Sequence, residues 1–284
     1  MSTLALTEQF IEHGKYLRGW SVKTIRTYRQ SLATLHAAEV GPLTRSSLQQ
    51  FVVWMRARGL SAGGINVRIR SVNSFLSWLH DEGHAGERLR IRLLPKSASV
   101  LVTFSDAEIR RVVGLRPVGR AMTRAWTLFV VMLDTGLRID EALGLERERV
   151  DLDALTLTVR GKGDRHRVVP ISIQGRKALF RLIARDASRF VFTTDTGQRM
   201  SYRNAYRDLK KLCRRAGVQG SHVRPHCIRH YFAVSFIRAG GDLYRLSRML
   251  GHTSIATTQL YLRSMGLEHL QEGHAKYSPL GRLA

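Results

Sequence analysis

Apolar residues recur at helical spacing along this chain as far as Leu79, and the rhythm breaks between Gly83 and Val100. A chain patterned in this way builds two successive cores rather than one. Before the break, Val22, Ile25, Tyr28, Leu32 and Leu35 form one stripe behind Ser21, a good N-cap residue. Leu48, Phe51, Val52 and Met55 form a second behind Thr44, closed by Gly59, and Ile65, Ile69, Val72, Leu76 and Leu79 a third behind Ser61. The break holds Gly83, Gly86, Pro95 and the run Ser97-Ala98-Ser99. The expected organisation is a helical domain over residues 1–85, a linker over 86–100 and a second domain over 101–284.

The second part mixes two periods. Ser105 and Glu108 have the spacing of a capping box. Ala121–Leu133 reads as an apolar helix stopped near Gly136. Leu155, Leu157 and Val159 alternate like a strand, Gly161-Lys162-Gly163-Asp164 makes a turn, and Arg167–Ile171 returns, which predicts a β-hairpin. Ser201 opens a helix through Arg215, Asp242 one that stops at Gly251, and Ser254 a short one reaching Tyr261. The fold class is mainly α with a small β-sheet: a helical N-terminal domain and a mixed α/β domain.

Charge narrows the function. The 284 residues include 46 Lys and Arg against 22 Asp and Glu, a formal net charge of +24. Residues 1–100 hold 14 basic and 6 acidic side chains, and 101–284 hold 32 and 16. The excess is not a basic tail but is spread over both parts, which suggests a long contact surface for an anion such as nucleic acid. In the helical part Arg26, Arg29, Arg68 and Arg70 decorate the polar sides and are candidates for gripping DNA phosphates. There is no apolar run of about 18 residues, and Met1–Phe10 carries Glu8 and no basic start, so neither a membrane span nor a signal peptide is expected. Cys213 and Cys227 cannot make a disulfide framework or a four-cysteine zinc site. A cytoplasmic, nucleoid-associated protein with no membrane partner is the expectation.

Three segments carry candidate chemistry. Arg138 follows the Gly136 turn at a helix start, where its fork and the helix N-terminus both favour an anion. Glu141, three residues on, fixes Arg138 for that task, caps the helix, or is simply its ion-pair partner. His226 and His230 lie four apart on one helical face, as zinc ligands do. Yet Cys227 stands where the water-activating Glu of a His-Glu-x-x-His protease would be, and Arg229 opposes a cation, so no metal site is assigned. Each histidine taken alone also fits a core position. Lys162 sits between two glycines at the hairpin tip, without the frame of an ATP-binding P-loop. Tyr261 lies nine residues after His252. A phenol beside two Arg forks makes a coherent phosphoryl-transfer set: the phenolic oxygen attacks phosphorus, and the guanidiniums neutralise the non-bridging oxygens.

In order, Thr135-Gly136-Leu137-Arg138-x-x-Glu141, Gly161-Lys162-Gly163, His226-x-x-Arg229-His230 and Leu250-Gly251-His252-x(8)-Tyr261 resemble the active site of the tyrosine recombinase (phage integrase) family, over residues 101–275 or so. The helical part resembles, less specifically, the core-binding domain of that family. The resemblance implies a site-specific recombinase, Xer-like or from a mobile element, that works without metal, ATP or other cofactor. Tyr261 would attack the scissile phosphate and form a 3′-phosphotyrosyl link. Arg138 and Arg229 would clamp the transition state, His252 would donate to a non-bridging oxygen, Lys162 would protonate the leaving 5′-oxygen, and His226 would take the phenolic proton. Glu141 and His230 would support them.

The implied partners are a double-stranded recombination site and three further protomers, as a homo-tetramer on two duplexes or a hetero-tetramer with a paralogue. The tail, with Met265, Leu267, Leu270 and Tyr277–Leu280, would pack on a neighbour. Two other readings remain open at this point: relaxation of a single duplex in the manner of a type IB topoisomerase, and a non-catalytic DNA-architectural protein.

Overall fold

The computed structural model describes residues 3–95, 102–161, 164–184, 188–252, 254–259, 261 and 274. Lys162 and, apart from His274, the tail beyond Tyr261 lie outside the described residues. The chain divides into two compact units, Met1–Ser99 and Val100–Ala284.

The first unit contains α1 (Thr3–Tyr16), α2 (Val22–His36), α3 (Arg45–Ala57) and α4 (Ala62–Asp81). Ser21, Thr44 and Ser61 cap the last three, each side chain accepting the backbone N–H three residues on. Such caps contribute about 1 kcal/mol each. The expected stripes meet in one core containing Leu32, Phe51, Met55, Ile65, Ile69 and Phe75. Val22 departs from its stripe: at the first position of α2 it lies beyond the core and is exposed.

The sequence reading did not single out α1, yet it supplies the buried Phe10. This ring makes edge contacts with Trp20, Tyr28 and Phe75 at centroid distances of 5.1, 5.4 and 5.4 Å. A Cβ at Gly14 would lie 2.0 Å from the Trp20 ring, so the indole rests directly on the α1 backbone.

The chain stays fastened to this unit past the end of α4. The Asn73 amide donates to the Ile91 carbonyl and accepts from the Ile91 N–H, both at 2.8 Å, and Asn66 does the same with Leu94, also at 2.8 Å. Leu89 and Ile91 are buried, while Arg88, Arg90 and Arg92 alternate with them and are exposed. Among the arginines singled out from the sequence, Arg26 and Arg70 are exposed. Arg29 pairs with Glu8 at 2.6 Å. Arg68 donates to Thr34 Oγ1 at 3.3 Å and to the Gly64 carbonyl at 3.2 Å, bracing α4 against α2.

The second unit is built on α6 (Arg120–Thr135), which packs against α8 (Ile173–Ile183), α9 (Tyr202–Arg215) and α10 (Pro225–Arg238). The shorter helices are α5 (Asp106–Val113), α7 (Ile139–Leu143), α11 (Leu243–Leu250) and α12 (Ile255–Gln259). The capping box of Ser105 and Glu108 forms, and Ser201 and Asp242 cap α9 and α11.

An antiparallel sheet runs β1 (Val150–Asp151), β2 (Thr156–Arg160), β3 (His166–Pro170). Its register sets Leu157 against Val169 and Val159 against Arg167. Leu155 is not in the strand; it occupies the preceding turn with φ 55°. The two-residue β1 has no alternation to reveal it. The core holds Phe104, Leu128, Phe129, Met132, Leu157 and Phe192. Among the described residues no helix is long and apolar enough to cross a membrane.

Candidate active site

Four separate segments of the second unit deliver their polar side chains to one place. The first is the α6–α7 turn. Gly136 ends α6 in the left-handed region at φ 64°, and a Cβ there would lie 2.4 Å from Phe232 and 2.8 Å from Leu250. Only glycine makes this turn without strain or collision. It leaves Arg138 as the N-cap of α7, with its backbone N–H donating to Glu141 Oε2 at 2.8 Å and its Nη1 to Oε1 at 3.0 Å. The Arg138 side chain keeps 47% of its surface exposed, so it can still reach a ligand.

The second segment is α10. Pro225 occupies its first turn, a position that tolerates the missing N–H. Arg229 then points inward and is 2% exposed. It donates to the carbonyls of Gly136 and Leu250, both at 2.9 Å, and to His252 Nε2, also at 2.9 Å. Burial and the Arg138 charge push its pKa down to about 10, against the pull of Tyr261, which hydrogen-bonds to it, and of Glu141. It is therefore charged at neutral pH. His226, on the same helix, is held below its usual pKa by burial and by Arg229 and Arg138. His230 is buried, and its Nε2 has no hydrogen-bond partner among the described residues.

The third segment is the end of α11. Gly251 caps the helix at φ 64°, and His252 follows. An arginine can only donate, so His252 Nε2 accepts from Arg229. Nδ1 then carries the proton and donates to Thr258 Oγ1 at 2.7 Å. Burial, followed by Arg229, Arg138 and Arg167, pushes the pKa of His252 down to about 4, and the ring is neutral. The Tyr261 ring stacks against His252 at 6.2 Å and 13° and meets His230 at 5.1 Å. Tyr261 is buried, packed with Val234, Ile237, Leu246 and Leu250.

The fourth is β3, to which the sequence motifs assign no site residue. Arg167 donates Nη1 and Nη2 to the two oxygens of Glu141 at 3.0 and 2.9 Å, and Nε to the Met249 carbonyl at 2.9 Å. Its signal was the two-residue period. Val169 and Ile171 are buried, so Arg167 on the same strand face also turns inward. A further basic surface lies on α9, which exposes Arg203, Arg207, Lys210, Lys211, Arg214 and Arg215.

The structure thus unites Arg138, Glu141, Arg229, His252 and Tyr261, with His230 against the tyrosine and His226 beside the arginines. Lys162 lies outside the described residues. Among the described residues no group of three His, Cys, Asp or Glu side chains could hold a metal ion.

The chain thus combines a helical unit with a mixed unit that gathers Arg, His and Tyr side chains from distant segments. The Tn1549 transposon integrase in complex with a circular intermediate DNA has the same fold, with a TM-score of 0.82 at 18% identity, over 97% of this chain and 99% of that one. The crystal structure of XerA recombinase matches with a TM-score of 0.55 at 26% identity, over 98% and 99% of the two chains. Residues 105–266 match the phage integrase family and residues 7–83 its N-terminal SAM-like domain. The tyrosine recombinase XerC of Xylella fastidiosa (strain M23) is 35% identical over 276 residues, 90% of this chain and 91% of the relative. The chain belongs to the phage integrase family, the tyrosine recombinases, enzymes that break and rejoin DNA strands.

Proposed function

We propose that this protein is a site-specific recombinase in which Tyr261 cuts DNA through a 3′-phosphotyrosyl intermediate, without metal or ATP. The observation that carries the reading is the convergence of Arg229 and His252 on one buried tyrosine, with Arg138 beside Arg229. The phenolic oxygen of Tyr261 bonds to phosphorus as the bond to the 5′-oxygen breaks. His226, kept neutral, accepts the phenolic proton, and Lys162 donates one to the leaving 5′-oxygen. Arg138 and Arg229 neutralise the non-bridging oxygens with planar forks that a lysine does not reproduce. Because Arg229 already donates to His252 Nε2, binding must turn that guanidinium edge toward phosphate. His252 must then shift its proton to Nε2, or gain a second, before it can donate. The phosphotyrosyl bond conserves the energy of the broken phosphodiester, so a 5′-hydroxyl from a second duplex reverses the step and exchanges strands.

The DNA partner is supported by the +24 charge and by relatives solved with DNA, such as the Tn1549 integrase. In this reading the helical unit is the core-binding domain and the second unit the catalytic domain. Four protomers, identical or including a paralogue, act on two duplexes, with the segment after Tyr261 packing on a neighbour. The test is Tyr261→Phe, which removes only the phenolic oxygen. The covalent protein–DNA adduct on denaturing gels should vanish while site binding stays near the parent level, because binding rests on many phosphate contacts elsewhere. An adduct formed by Tyr261→Phe assigns the nucleophile to another residue.

A further inference from the structure

We propose that Arg167 is a positioning residue of the strand-cleaving site: it cancels the charge of Glu141, so that this carboxylate can hold Arg138 without weakening the attraction of Arg138 and Arg229 for phosphate. The proposal rests on the reading of Tyr261, Arg138 and Arg229 given above and assigns a role to a side chain that the proposed reaction does not use.

Glu141 presents a difficulty for an anion site. It is 7% exposed and lies among the two arginines meant for phosphate, bonded to Arg138 and 3.8 Å from Arg229. A carboxylate there orients Arg138 but also repels an incoming phosphodiester, and in a water-poor site that repulsion is weakly screened. Arg167 meets it with a fork-to-fork pair, one Nη to each oxygen, the strongest and most directional form of the interaction. Three guanidiniums face one carboxylate, and two positive charges remain for the phosphate.

The third bond of Arg167 extends its reach. Nε donates to the Met249 carbonyl in the last turn of α11, one residue before Leu250, whose carbonyl accepts from Arg229. Arg167 thereby ties β3 to the N-cap of α7 and to the turn that presents His252. The guanidinium lies against Gly251 so closely that a Cβ there would be 2.9 Å from Cζ. A side chain placed only to stabilise the fold needs none of this; an apolar residue in line with Val169 and Ile171 would satisfy the strand face, and a buried ion pair is by itself a weak source of stability.

The experiment compares cleavage rates in single turnover, on a nicked duplex carrying the recombination site, for the full chain and three variants: Arg167→Met, Arg167→Met combined with Glu141→Gln, and Tyr261→Phe. Arg167→Met leaves Glu141 uncompensated and should slow adduct formation about a hundredfold, the scale of one lost transition-state donor. Duplex affinity should change by less than about threefold, since most phosphate contacts lie elsewhere. Adding Glu141→Gln removes the unbalanced charge and should restore at least about tenfold of the rate, a non-additive gain expected only of residues acting as a unit.

An Arg167 that served only packing predicts a double variant no faster than the single one. That outcome, or an Arg167→Met enzyme as fast as the parent, overturns the proposal. Should Arg167→Met lose its thermal transition, Arg167→Lys is compared with Arg167→Gln, both of which keep a donor toward Glu141. Charge compensation predicts that Lys cleaves at least about tenfold faster, and equal rates overturn it. Tyr261→Phe separates the two readings: an adduct formed by that variant refutes the nucleophile assignment, whatever the Arg167 series shows.

Discussion

At the scale of single residues, two features of the site lead to measurements. Gly251 is constrained twice, by its φ of 64° and by the Arg167 guanidinium against its α-carbon. The left-handed region costs a side-chain-bearing residue about 1–2 kcal/mol, and the crowded guanidinium adds to that. Gly251→Ala should lower stability by roughly 2 kcal/mol, read as a shift in the urea midpoint at unchanged slope.

His252 makes stability depend on pH. Folding lowers its pKa from 6.5 to about 4, so within that window the unfolded chain binds more protons than the folded one. Stability therefore falls as pH drops from 6.5 toward 4 and is recovered as pH rises. Glu141 contributes in the same direction: although burial opposes it, Arg167 and Arg138 hold its carboxyl below the ordinary value of 4.5, and its contribution is lost as pH falls below that value. Melting temperatures of the parent and of His252→Gln across this range separate the two. The variant should show the shallower decline above pH 4.5, the ordinary carboxylate value. Equal slopes would mean that His252 is not the titrating group.

Elements owe their positions to a few polar pins as much as to apolar faces. The segment after α4 is an instance: two asparagine side chains, seven residues apart, each satisfy both backbone groups of a residue on a strip of chain that has no strand partner. Leu89 and Ile91 face inward, and Arg88, Arg90 and Arg92 are offered outward in a fixed order. Asn73→Ala removes both bonds to Ile91 and leaves a half-buried N–H and carbonyl unpaired, which should cost about 1–3 kcal/mol. Amide exchange at Ile91 should accelerate more than exchange in the middle of α4; uniform acceleration would show that the strip and the helix open together. The hairpin follows the same logic, since β3 is held by its ladder to β2 and also by Arg167 reaching Met249.

For the molecule as a whole, the number that matters is +24, distributed over both units. If about six to ten phosphates are neutralised on binding, affinity for the duplex should fall by about 10³–10⁵ between 50 and 200 mM salt. Fluorescence anisotropy with a labelled site measures this directly, and a nearly flat dependence would separate the charge from DNA binding.

Six helix starts and the stops of α6 and α11 were readable without any structure. Ser21, Thr44, Ser61, Ser105, Ser201 and Asp242 act within three residues of themselves, as do the glycines that end α6 and α11, so these signals need only local sequence. The order of the motifs around Arg138, Arg229, His252 and Tyr261 was readable too, because it lies in the chain. What the chain could not reveal depends on contacts between residues far apart in it. The strand period turns Arg167 inward, but its partners, Glu141 26 positions away and Met249 82 positions away, leave no trace in the local sequence. Arg68 looks like any solvated arginine until α2 is set beside α4 and Thr34 accepts its Nε. The proton on His252 is the clearest case. Which ring nitrogen carries it follows from a guanidinium 23 residues away that can only donate, and only the packing of α10 against the end of α11 brings that donor to Nε2.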